Sequence, residues 1–157
     1  MTTARVSLEP AADREALVPL LLEADESEAV LRGYLYEGDL YRVVTDGQTV
    51  GVVLLIPEGS DAVEIRNIAL AEDRRGRGLG RAAVEAVAAL ARATGAARLL
   101  VGTADSSVGT LGFYRRVGFH DAGRLAGFFD DYPEPVVEDG IVAHDMVRFE
   151  MKLDQPD

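Results

Sequence analysis

The 157-residue sequence has no cysteine, no tryptophan, a single lysine, six prolines and only 6% aromatic residues. Without cysteine there is no disulfide framework, no thiolate metal site and no cysteine nucleophile. No apolar run approaches the roughly 20 residues that a membrane-spanning helix needs. The longest, at 50–56, reads Val-Gly-Val-Val-Leu-Leu-Ile. Charges recur every few positions from Arg5 to Glu28, leaving no basic-then-apolar signal segment in residues 1–30. A cytoplasmic protein without a membrane partner is the expectation.

What is present describes a folded chain. At 48% hydrophobic and 27% charged, the composition is that of a globular protein. The length suits one domain, spanning 1–157. Arginine outnumbers lysine 15 to 1 beside 22 alanines, which reads mainly as base-composition bias. Charge divides unevenly: the net is −10 over residues 1–73, +6 over 74–119 and −7 over 120–157. An acidic protein of this kind is a poor nucleic-acid binder, but its basic segment suits a compact polyanion.

No repeat or linker divides the sequence. Residues 3–8 predict a first strand, and Asp13 is a candidate cap for a helix over 13–23, kinked or late-starting at Pro19. A second helix is expected over 26–32. Residues 41–45 and 49–56 read as a hairpin about Asp46-Gly47, with a turn at 57–61 and a third strand at 62–70. Apolar residues at helical spacing mark a helix over 78–94, ended by Gly95. A short strand at 98–102, a helix at 108–117, a strand opening at Phe119 and a final strand at 146–153 complete the order β-α-α-β-β-β-α-β-α-β-β. This is an α/β domain with a mixed central sheet flanked by helices.

The segment with most chemistry is 65–80, where a strand ends in a glycine-rich basic turn that opens the long helix. Free N–H groups at a helix start form an anion site, and glycine lets backbone approach the ligand. Arg74, Arg75, Arg77 and Arg81 add charge, so a diphosphate is the natural guest. The Gly76-x-Gly78-x-Gly80 spacing lacks the Lys-Ser/Thr of a P-loop and fails the Gly-x-Gly-x-x-Gly dinucleotide pattern.

The Arg75-x-x-Gly78-x-Gly80 turn resembles the pyrophosphate motif of the GNAT superfamily of acetyl-CoA-dependent N-acetyltransferases. Residues 111–119, with Tyr114-x-x-x-Gly118-Phe119, are similar to a second family motif. The element order matches over residues 3–153. The resemblance implies a GNAT-like fold and acetyl-CoA as co-substrate. Ile68, Ala69 and Leu70 would offer backbone groups to the pantetheine arm and thioester. Arg75, Gly76, Arg77, Gly78, Leu79, Gly80 and Arg81 would hold the pyrophosphate. Tyr114 would protonate the departing thiolate; its phenol has an ordinary pKa near that of a thiol. Ser107 stands where the family most often has asparagine, and its hydroxyl keeps a hydrogen bond to pantetheine available. Arg115 and Arg116 either reach the ribose phosphate or form a solvated helix face.

The implied reaction moves an acetyl group to a primary amine of a small molecule or peptide, by direct attack in a ternary complex. An N–H near Ile68 or Ala69 would hold the oxyanion. Glu64 is the leading candidate base, with Asp105 its rival; period-two alternation puts Glu64, Arg66 and Ile68 on one face, Ile65 and Asn67 on the other. His120 and His144 read as surface residues, and no metal site is expected. The segment 128–140 offers Asp130, Asp131 and Glu134 with Phe128, Phe129 and Tyr132, either as an acceptor cleft for a cationic amine or as a solvated loop. The resemblance also implies a homodimer. A catalytically silent acetyl-CoA-binding sensory or regulatory module is the alternative.

Overall fold

The computed structural model describes residues 5–153. Strand β1 (Ser7–Pro10) leads through a 3-10 turn into the short helix α1 (Val18–Leu21), followed by α2 (Glu28–Tyr34). Three strands follow, β2 (Asp39–Thr45), β3 (Gln48–Glu58) and β4 (Ala62–Leu70), then helix α3 (Leu79–Ala93), β5 (Arg98–Ala104), α4 (Val108–Arg116) and β6 (His120–Leu125). A small hairpin, β7 (Val137–Glu138) and β8 (Ile141–Val142), precedes β9 (Met146–Lys152). The main sheet has seven strands in the order β1-β2-β3-β4-β5-β9-β6. Every pairing in it is antiparallel except β4 with β5, the parallel pair that α3 crosses.

The expected order of seven strands and four helices is present, with differences that have local causes. Residues 3 and 4 of the expected first strand lie outside the described residues. Pro19 falls in the first turn of α1, where its missing N–H costs nothing, so the helix starts late. Asp13 caps the preceding 3-10 turn through Ala16 N–H at 3.2 Å, and Ser27 caps α2 through Val30 N–H at 3.2 Å. The expected turn at Pro57 is instead strand: Pro57 pairs with Val63 of β4, while β2 ends at the Asp39–Leu55 pair, so no β2 partner needs the absent donor. The β7–β8 hairpin, unexpected in a proline-rich stretch, turns on Asp139-Gly140 with positive φ at both, as at Asp46-Gly47.

Helices cover both faces of the sheet. Leu21, Leu31 and Leu35 pack with Val52 and Leu54 on the α1/α2 face. Val84, Val87, Tyr114 and Phe149 pack with Val53, Leu55 and Ile65 on the α3/α4 face. This two-sided burial explains the unbroken apolar run of β3, whose residues Val50 to Leu55 are all buried.

Strand β4 carries the decisive irregularity. Leu54 pairs with Asn67, yet its neighbour Leu55 pairs with Ile65, so Arg66 is an extra residue, a β-bulge. The bulge corrects the face assignment drawn from alternation. Ile65 and Ile68 both pack on the α3/α4 face, while Asn67 joins the α1/α2 face, its Nδ2 donating to Leu21 O and Tyr34 Oη, each at 3.1 Å. The parallel ladder to β5 also stops here: it runs only from Ala62–Arg98 to Ile65–Val101, although both strands continue. Beyond it β4 and β5 splay apart.

On its other edge β4 stays tightly paired. A Cβ at Gly51 would collide with Ala69 O of β4, a backbone atom with no freedom to yield. Gly51→Ala should therefore cost about 1–3 kcal/mol, read as a lowered urea midpoint; an unchanged midpoint would refute this close approach.

Candidate active site

The splay opens a cavity of about 680 Å³, within the range of small-molecule sites. One wall is β4. Ala71 N–H donates to Val50 O at 2.9 Å, and Ala69 O faces Gly51. Backbone groups alternate along a strand, so Ile68 and Leu70 turn theirs toward the gap, where no β5 residue pairs with them. Leu70 O is met there only by the Arg75 guanidinium at 3.4 Å. Of the two backbone donors weighed for an oxyanion, the geometry leaves Ile68.

The second wall is the basic turn and the start of α3. Gly76 and Gly78 both have φ of 77°, a left-handed conformation that a side chain would strain. The first intrahelical bond is Ala82 N–H to Gly78 O, so the amides of Leu79, Gly80 and Arg81 point outward from the helix start, at its positive dipole end. Arg75, Gly76, Gly78, Gly80 and Arg81 line the cavity. Arg77 and Leu79 do not: Arg77 is exposed, and the Leu79 side chain is buried with Val43, Val50 and Ala83, so each has only its amide to offer. Arg81 also donates to Arg116 O at 3.1 Å, tying α3 to α4.

Helix α4 closes the third side with Ser107 and Tyr114. Ser107 is the N-cap of α4, but its hydroxyl makes no capping bond. Tyr114 is only 5% exposed; its ring stacks among Phe113, Phe119 and Phe149 at 5.5–5.8 Å. It is thus both core residue and cavity wall. Burial alone pushes its phenol well above the ordinary range, so it stays protonated.

Glu64 lies in a hollow of about 50 Å³ that shares Asp25, Tyr34, Arg66, Gly102 and Tyr132 with the large cavity. Burial raises its pKa first, and Glu58 adds to the rise against the opposing pull of Arg66 and Arg148. Its contact to Arg66 is 3.6 Å long, and Arg66 stacks over the Tyr34 ring at 4.6 Å.

Other candidates are engaged elsewhere. Asp105 accepts the amides of His144 and Asp145 at 3.0 and 3.2 Å, a tie between β5 and the approach to β9. Arg115 forms a two-point pair with Asp121 at 3.0 and 2.9 Å. His120 is exposed; His144 faces Asp130 at 2.9 Å, both exposed, so Asp130 turns away from the cavity. Phe129 and Tyr132 do line it. The acids on its wall are instead Glu23, Asp25 and Glu26 from the loop between α1 and α2, with Glu138 of β7. Nothing in local spacing marked these; only the fold brings them to the aromatic segment. Among the described residues no cluster of three or more potential metal ligands occurs, and no helix is long and apolar enough to cross a membrane.

Comparison with known proteins agrees with this geometry. The model of the acetyltransferase (GNAT) family matches residues 9–119. An uncharacterized N-acetyltransferase of Bacillus subtilis (strain 168), YvbK, is 34% identical over 140 residues, covering 88% of this chain and 90% of that protein. A GNAT family acetyltransferase from Elizabethkingia anophelis, solved with acetyl-CoA bound, superposes with a TM-score of 0.87 at 34% identity, covering 95% of this chain and 99% of that one. An IAA acetyltransferase from Bacillus cereus gives 0.85 at 35% identity, covering 94% and 99%. The chain belongs to the GNAT family of acetyltransferases.

Proposed function

We propose that the protein transfers the acetyl group of acetyl-CoA to a primary amine of a small molecule or peptide, by direct attack in a ternary complex. The observation that carries this reading is one continuous cavity joining the anion-binding start of α3, the unpaired edge of β4 and Tyr114. The donor fits it group by group. Free amides of α3 with Arg75 and Arg81 match a pyrophosphate, and the backbone of Ile68 and Leu70, unpaired with β5, matches the amides of a pantetheine arm.

The thioester supplies an activated acyl carbon. Glu64 takes a proton from the amine, directly or through water, as the C–N bond forms. Ile68 N–H donates to the acyl oxygen as negative charge develops there. As the C–S bond breaks, the Tyr114 hydroxyl gives its proton to the leaving sulfur.

Three measurements test these roles. Gly78→Asp places a negative side chain at the helix start in a left-handed position. It should weaken acetyl-CoA binding by tenfold or more, about 1.4 kcal/mol, in calorimetric titration, with Tm lowered by about a few degrees through the strained backbone; undiminished affinity would refute the anion site. Tyr114→Phe should reduce kcat by about 10²-fold while leaving the acetyl-CoA Kd nearly unchanged. A full rate would remove the acid role.

Glu64 gives a pH signature. A base works deprotonated, so with its pKa raised by burial the rate should climb with pH through a limb above the ordinary carboxylate range. Glu64→Gln should remove that limb and lower kcat. The same shift has a stability consequence. A carboxyl whose folded pKa exceeds its unfolded one stabilises the fold when protonated, and that contribution is lost as pH rises through the folded pKa. Glu64→Gln should therefore raise Tm at neutral pH even as it lowers activity; a lowered Tm would contradict the desolvated charge.

A further inference from the structure

The acceptor end of the cavity is built with unbalanced charge. Asp25, Glu26 and Glu138 all line it, and among the described residues none of the three has a cation within ion-pairing distance. Two arginines that line the same cavity are already engaged, Arg66 by Glu64 at 3.6 Å and Arg75 by Glu23 at 3.0 Å. Desolvation, Glu138 and Asp25 together hold Glu26 above the usual carboxylate range, so these acids crowd one another with nothing to neutralise them. Asp25 cannot turn aside to relieve the crowding. Tyr34 Oη–H donates to its Oδ2 at 2.8 Å, and Ser27 N–H to its Oδ1 at 3.1 Å.

An independent feature of the same wall also asks for a donor. Asn67 is 5% exposed and lines the cavity. Its Nδ2 is committed to Leu21 O and Tyr34 Oη, while its Oδ1 has no partner. A buried carbonyl oxygen left unpaired is costly, and it adds partial negative charge to a wall already lined with acids. The rings of Phe129 and Tyr132, 5.0 Å apart, line the same cavity, a surface for methylene groups and a face for a cation.

We propose that the acceptor is a dication, an aliphatic diamine or polyamine, whose far ammonium group sits between Glu26 and Glu138 while its near amine reaches Glu64 and the thioester. The carbon chain lies on Phe129 and Tyr132, with Asp25 and the Asn67 oxygen adding negative potential from the same wall. The assignment rests on the N-acetyltransfer reading above and names its substrate class.

The test compares 1,4-diaminobutane with n-pentylamine, a chain of matched length lacking the second charge, by thiol release from acetyl-CoA with the full chain. The expected result is a kcat/KM about tenfold or more higher for the diamine, one tenfold step being 1.4 kcal/mol. In a Glu26→Gln/Glu138→Gln variant this preference should collapse toward unity, chiefly through KM. Both substitutions remove mutual repulsion, so the variant should melt no lower than the parent. Equal use of the two amines, or a preference that survives in the variant, would overturn the dication assignment and leave N-acetyltransfer standing. Transfer to neither amine would overturn the dication assignment alone, since a peptide amine is untouched by that result, while calorimetry with acetyl-CoA reports separately on the donor site.

Discussion

Arg66 has no partner on β3, and the donor cavity follows from that single extra residue. With β4 regular, its ladder to β5 would run on past Ile65–Val101 and the backbone of Ile68 and Leu70 would be spent on sheet hydrogen bonds. The bulge instead ends the ladder while β3 stays paired with β4 on the other side, so the two parallel strands part around a gap. Backbone groups facing such a gap remain unsatisfied until a ligand meets them. The same extra residue rotates the strand's side chains by one position. It sends Ile68 to the core beside Ile65 and brings Asn67 round to the face that holds Glu64 and Arg66.

That bulge also marks where reading the sequence fails. Alternation along 62–70 assumes an unbroken period of two, and nothing in the composition of Glu64-Ile65-Arg66-Asn67 announces a skipped residue. The register is set between strands. The glycine-rich turn, by contrast, was legible because its chemistry is local: two left-handed glycines, a helix start and clustered arginines all lie within eight residues. Tyr114 and Ser107 lie at and within one short helix, so the residues that single them out are also close in sequence. Arg77 and Leu79 show the limit of that locality, since a motif says which residues share a turn but not which of them line the cavity.

The acceptor end was the least legible part. The aromatic residues of 128–132 were candidates from their composition, and Phe129 and Tyr132 do reach the cavity. The acids expected to accompany them were the neighbours in sequence, yet Asp130 pairs with His144 on the surface. Their place is taken by Asp25 and Glu26, about a hundred residues earlier, and by Glu138 on a hairpin too short to show periodicity. The signal for that hairpin, Asp139-Gly140, was the one that correctly marked Asp46-Gly47. Strands of two residues simply leave no alternation to accompany it.

One physical cause serves both ends of the proposed reaction. Burial disfavours the charged form of any acid, and it acts on Glu64 and Tyr114 alike. For a carboxylate, a raised pKa moves it toward neutrality and strengthens it as a base. For a phenol, the same shift keeps the proton on at working pH, ready for a leaving sulfur. No separate device is needed to set the two groups at opposite protonation states, because their ordinary pKa values already lie on either side of neutrality and desolvation preserves that order. The opposite charges of the two cavity ends extend this logic to the ligands. Arg75 and Arg81 line the cavity at the start of α3, where the proposed diphosphate would sit, and Asp25, Glu26 and Glu138 line it as well. The two kinds of charge meet at one ion pair, Arg75 with Glu23 at 3.0 Å, so the cavity keeps both signs on its wall in a chain whose net charge is −11.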